Sequence, residues 1–172
     1  AEAERIQKLV AESKTLEELI KKLNAEKKKA AARPKSRPKV VNPSGSIVAA
    51  KGKLPAPAVG PLLIKFGDRT PQGKSQGIRI LTRENTAIIS PFDGTIMYSG
   101  DFRSYGELLI IQHGEGYHSV LAGMDRLDSS VGQWVLAGEP IGEMGKAQDA
   151  FKQPKNPEGQ PVLYVELQRG GK

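Results

Sequence analysis

Between Pro61 and Gln168 the chain never runs long enough without a Gly, Pro, Asp or Asn to build a helix of ordinary length around a core. Short runs rich in Val, Ile and Leu stand between those breakers: Pro61–Gly67, Gly77–Leu81, Thr86–Ser90, Gly94–Ser99, Glu107–His113, Tyr117–Met124, Pro140–Met144 and Val162–Gln168. Segments of this kind bury their apolar side chains as strands sharing a face. The spacing therefore predicts a mainly β architecture, a sandwich or an open barrel. Asp93-Gly94 reads as a hairpin turn, and Gly114-Glu115-Gly116 as a second tight reversal. Lys146–Gln160 is polar, contains two prolines and is predicted to be a loop.

The first 32 residues obey a different rule. From Glu2 they contain no Gly or Pro, and a heptad frame puts Ile6, Ser13, Ile20 and Lys27 at a and Leu9, Leu16, Leu23 and Ala30 at d. Six of those eight positions are apolar, which predicts an amphipathic helix that extends into a coiled coil if the pattern continues upstream. Arg33-Pro34-Lys35-Ser36-Arg37-Pro38-Lys39 stops it, since proline cannot donate to a helix and two prolines among bases favour extended chain. The expected organisation is a helical segment over 1–32, a basic linker over 33–46 and a β domain over 47–172. The chain opens on Ala1 and closes on Arg169-Gly170-Gly171-Lys172, so it reads as a piece of a longer protein.

Charge follows the same division. Of the net +7, residues 1–40 carry 12 bases and 6 acids, for +6, which leaves 14 bases and 13 acids, for +1, on the remainder. Residues 21–39 hold nine bases and one acid, Glu26, but no interleaved aromatic side chains for base stacking, which argues against nucleic acid. Attraction to anionic lipid or cell-wall phosphate suits the run better and would weaken with salt. The absence of cysteine excludes disulfides, thiolate metal sites and cysteine nucleophiles.

From Phe66 to Gln168 an ordered set of short motifs resembles the LytM (lysostaphin-like) zinc endopeptidase domain. The set comprises Gly77-Ile78-Arg79-Ile80, the segment Ser90–Ile96 around Asp93-Gly94, Tyr105-Gly106, Gln112-His113-Gly114, Gly116-Tyr117-His118-Ser119, Ala137–Gly142 and the closing strand Pro161–Leu167. The resemblance implies a zinc site, yet its ligand positions fall on Ser75, Arg79 and Tyr164. The two histidines that assist hydrolysis in active members fall on Gly123 and Val162. Ser is a poor neutral ligand, Arg is a permanent cation, and Tyr is an uncommon ligand. No cofactor, metal site or enzymatic activity is therefore expected.

Other chemistry fares no better. His113 and His118 are the only histidines. His113 is expected to pack at a strand end and His118 to be exposed. Ser75, Ser99, Ser104 and Ser119 lack a Gly-x-Ser-x-Gly elbow, and Asp93, Asp101 and Glu107 suit turns and strand edges better than an acid pair. Gly67, Gly73 and Gly77 open no helix that could hold phosphate.

Coiled coil, linker and degenerate LytM domain together resemble the EnvC-type murein hydrolase activators. That likeness implies a non-catalytic periplasmic protein at the division septum. It would bind N-acetylmuramoyl-L-alanine amidases through the former active-site groove, and its coiled coil would meet an inner-membrane division complex. The expected partner-binding residues are Ser75, Gln76, Arg79, Tyr105, Gly123, Val162, Tyr164 and Gln168. Gln168 stands where a basic residue would be expected in such activators. The competing expectation is a non-hydrolytic module that binds peptidoglycan itself.

Overall fold

The computed structural model describes residues 18–19, 21–22, 47, 49, 54–70, 73–102, 107–114, 116–148 and 156–169. The chain divides into two compact units, 1–41 with 169–172, and 42–168. In the first, Glu18, Leu19, Lys21 and Lys22 are helical, and Glu18 and Lys22 form an i,i+4 ion pair at 3.3 Å. The rest of the heptad segment, the linker and the expected boundaries at 32/33 and 46/47 lie outside the described residues or beside them. No helix among the described residues is long and apolar enough to cross a membrane.

The second unit is built from strands. They are β1 (Leu62–Ile64), β2 (Arg69–Thr70), β3 (Gly73–Lys74), β4 (Ile78–Leu81), β5 (Ala87–Ile89), β6 (Gly94–Asp101), β7 (Glu107–Gly114), β8 (Tyr117–Met124), β9 (Arg126–Leu127), β10 (Trp134–Val135), β11 (Pro140–Glu143) and β12 (Val162–Arg169). A seven-stranded sheet has the order β1-β4-β12-β8-β7-β6-β10, a three-stranded sheet the order β5-β11-β9, and β2 and β3 form a separate hairpin. Each expected run contributes one strand. The four missed strands, β2, β3, β9 and β10, have two residues each, too few to show alternation.

One core joins the two larger sheets. Ile80, Ile96, Leu109, Ile111, Leu121 and Leu163 of the large sheet meet Ile88, Ile141 and Met144 from the side of the small one. Each such side chain contributes about 1.5–3 kcal/mol by leaving water. The large sheet ends in edge strands β1 and β10, so the architecture is a sandwich and not a closed barrel.

Two turn expectations meet different fates. Gly114 (φ 92°) and Gly116 (φ 80°) make the reversal between β7 and β8 in the left-handed region that glycine enters freely. Asp93-Gly94 makes no hairpin, because β5 and β6 belong to different sheets. Asp93 is fully buried at that crossing, where its carboxylate accepts the backbone N–H of Ala137 at 2.7 Å. In the predicted loop, Asn156 closes a turn by accepting Gln160 N–H at 2.9 Å and donating to Gln160 O at 2.8 Å.

Candidate functional site

The expected site lies where β4 and β12 run side by side. Tyr164 is the Cα partner of Arg79, and Val162 that of Leu81. Alternation turns Ile80 and Leu163 into the core and leaves Arg79 and Tyr164 on the outer face. The Arg79 guanidinium carbon stands 5.4 Å from the centre of the Tyr164 ring, a cation–π contact. The ring also crosses the backbone of Gly77, where a Cβ would stand 3.0 Å from Tyr164 Cε2. Glycine in the Gly-Ile-x-Ile strand thus makes room for the β12 backbone, whose Val165 carbonyl oxygen would stand closer still to that Cβ, as well as for the tyrosine.

Behind the tyrosine is a carboxylate that sequence reasoning missed. Tyr164 donates its hydroxyl to Glu166 Oε2 at 2.7 Å, and Gln168 donates its amide to the other oxygen, Oε1. Tyr164, Glu166 and Gln168 are spaced by two along one strand, so period-two alternation was the signal that could have found Glu166. Glu166 is 7% exposed and Gln168 only 2%. Gln168 is therefore not the surface contact expected from sequence; its short amide is committed to Glu166, inside the domain.

The remaining positions complete the picture. Ser75 is half-buried and donates its hydroxyl to Gly77 O at 2.8 Å, while Gln76 is exposed. Val162 is half-buried, and Gly123 has φ +102°, with the Val162 carbonyl oxygen 2.5 Å from where a Cβ would be. Tyr105 lies outside the described residues. The structure thus brings Arg79, Tyr164 and their support together, with Ser75 and Gln76 just before β4.

His113 and His118 form no second site. His118 is 1% exposed, against the expectation of an exposed ring, because β8 lies between β12 and β7 in the middle of the sheet. His113 packs at the end of β7 as expected, 2% exposed, with its ring edge-on to Phe92. Its Nδ1 lies 2.8 Å from Asp93 O and its Nε2 2.6 Å from Ser119 Oγ. A carbonyl can only accept, so Nδ1 carries the proton and Nε2 accepts from the serine. Burial pushes the ring's pKa below its usual 6.5, against the weaker upward pull of the Asp93 carbonyl and charge. The pair ties β7, β8 and the inter-sheet crossing together, and Ser119, at 3% exposure, is closed to a substrate.

A model of peptidase family M23 matches residues 73–172. The chain belongs to this family. The murein hydrolase activator EnvC of Escherichia coli is 29% identical over 130 residues, which cover 74% of this chain and 29% of EnvC. The murein hydrolase activator NlpD of the same organism is 37% identical over 90 residues, 52% of this chain and 23% of NlpD. The chain thus spans less than a third of either relative. The catalytic domain of the antimicrobial peptidase lysostaphin from Staphylococcus simulans superposes with a TM-score of 0.54 at 16% identity, over 64% of this chain and 81% of that domain. At that identity the likeness establishes the fold alone.

The zinc implied by the M23 fold does not fit these side chains. At the three positions that the resemblance aligns with zinc ligands stand a hydroxyl donating to a backbone carbonyl, a permanent cation and a phenol already bonded to Glu166. Among the described residues, no group of three or more His, Cys, Asp or Glu could hold a metal ion.

Proposed function

We propose that this M23 domain is a non-catalytic activator of peptidoglycan hydrolases, acting on N-acetylmuramoyl-L-alanine amidases during cell division. The observation that carries the reading is the Arg79–Tyr164 cation–π pair on the outer face of β4 and β12, at positions that the family resemblance aligns with zinc ligands. The likeness to relatives named murein hydrolase activators supports it. Arg79 and Gln76 supply exposed donors, and the Tyr164 ring, fixed by Glu166 and Gly77, supplies a rigid apolar surface. Tyrosine and arginine are the side chains that most often anchor protein interfaces. A segment of the amidase docks along Ser75, Gln76, Arg79, Val162 and Tyr164, with Gly123 at the margin and Gln168 as support. Docking displaces an inhibitory element of the amidase, which then cleaves peptidoglycan with its own zinc. Residues 1–32 tether the domain to an inner-membrane division complex, which places it in the periplasm at the septum.

The test combines a pull-down with dye release from labelled sacculi, using the cognate amidase and the full chain. Arg79→Glu and Tyr164→Ala are each expected to lower binding and stimulation at least about tenfold, the size of an interface anchor. Both activities intact in both variants would sink the groove. Sedimentation of the protein with sacculi without amidase separates this reading from direct peptidoglycan binding.

A further inference from the structure

The large sheet carries a second exposed surface at its β1 edge, on the face opposite Arg79 and Tyr164. There a hollow of about 390 Å³ opens between β1, β12 and the segment before β1, lined among others by Leu54, Pro55, Pro57, Leu62, Val165 and Leu167. Ser119 is the only lining residue with a polar side chain, and its hydroxyl is committed to His113. Leu62 and Leu167 flank the hollow at 48% exposure each, and Val59 and Phe66, at 86% and 71%, lie within four residues of Leu62. Two of the large apolar side chains left in water among the described residues, Leu62 and Leu167, thus line this hollow.

Cations stand beside it. Residues 54–78 contain Lys65, Arg69 and Lys74 against one acid, Asp68. Asp68 accepts the backbone N–H of Lys65 at 2.8 Å, a turn contact. Arg69 and Lys74 are direct Cα partners in the β2–β3 hairpin, where like charges oppose pairing. Among the described residues, Lys65, Arg69 and Lys74 enter no ion pair. Backbone bonds from Gly67 N to Ser75 O (2.9 Å) and from Ser75 N to Asp68 O (2.8 Å) hold the hairpin at the start of β4. Ile78 at that end pairs with Val165, and Leu167 lies two residues farther along β12. Apolar hollow and cationic hairpin are therefore neighbours.

We propose that this edge docks an acidic amphipathic peptide segment of a protein partner. Its apolar side chains enter the hollow between Leu62 and Leu167, and its carboxylates relieve the opposed charges of Arg69 and Lys74 and meet Lys65. A concave hollow with three prolines in its wall receives side chains, whereas a flat bilayer would leave it unfilled. None of these contacts uses the Arg79–Tyr164 groove.

The test is fluorescence anisotropy of the full chain with labelled helical peptides. One carries leucines at i, i+3 and i+4 flanked by glutamates; the control has lysine for each glutamate. Equimolar phosphatidylglycerol–phosphatidylcholine vesicles form the membrane arm. The acidic peptide is expected to bind at least about tenfold more tightly than the basic one and to weaken from about 50 to about 200 mM salt. Arg69→Glu with Lys74→Glu, and separately Leu62→Asp, are each expected to abolish the preference, while Tyr164→Ala leaves it intact. The three edge changes fall on exposed side chains, and unchanged circular dichroism confirms the fold of every variant. Equal affinity for both peptides, indifference to the edge variants, or binding to vesicles without binding to the acidic peptide would each overturn the proposal.

Discussion

A side chain at position 123 would place its Cβ 2.5 Å from the Val162 carbonyl oxygen, at a φ of +102° that suits glycine. A catalytic histidine cannot be restored there by exchanging one residue, because the backbone of β12 occupies the space. Gly123→His is expected to destabilise the domain by about 2 kcal/mol or more. The check is a urea midpoint; one equal to that of the parent would show that β12 can move away. The residue types of Arg79 and Tyr164 were legible in the chain. Their new partners were not: nothing local says that Tyr164 donates to Glu166, or that Gln168 turns inward to the same carboxylate.

At the scale of elements, the eight long runs were legible because alternation and breakers are local signals. Asp93-Gly94 misled because the same dipeptide that reverses a hairpin also suits a chain crossing between sheets. The difference lies in Ala137, 44 residues away, whose N–H the Asp93 carboxylate accepts. His113 at that crossing makes stability depend on pH. Its folded pKa lies below the usual 6.5, so the unfolded chain binds the proton first as pH falls. Its contribution is complete above about pH 6.5 and is lost as pH drops through the folded value. Melting temperatures taken from about pH 7.5 down to about pH 5 should fall. His113→Gln should melt lower at neutral pH and show a shallower decline. A variant with the parental slope would assign the effect elsewhere.

For the whole molecule, the fold of a zinc peptidase persists where the donor set does not fit zinc. Its stability is then expected to rest on the hydrophobic sandwich and not on a metal. Prolonged dialysis against EDTA is expected to leave the melting temperature unchanged. A drop of several degrees, reversed by zinc, would reveal a structural site. The charge has the same two-part organisation, with +6 on residues 1–40 and +1 on the rest. Even within the nearly neutral part, tertiary structure gathers cations at the β1 edge.

The sequence by itself determined the mainly β class and the eight principal strands. Each of these depends on residue type, short-range alternation or motif order. Only the tertiary structure decided that His118 and Gln168 are buried, that Gly123 is closed by Val162, and that Arg79 lies over Tyr164. Those facts depend on β12 inserting between β4 and β8, strands that precede it by tens of residues. Burial is set by such neighbours, and no local pattern encodes them.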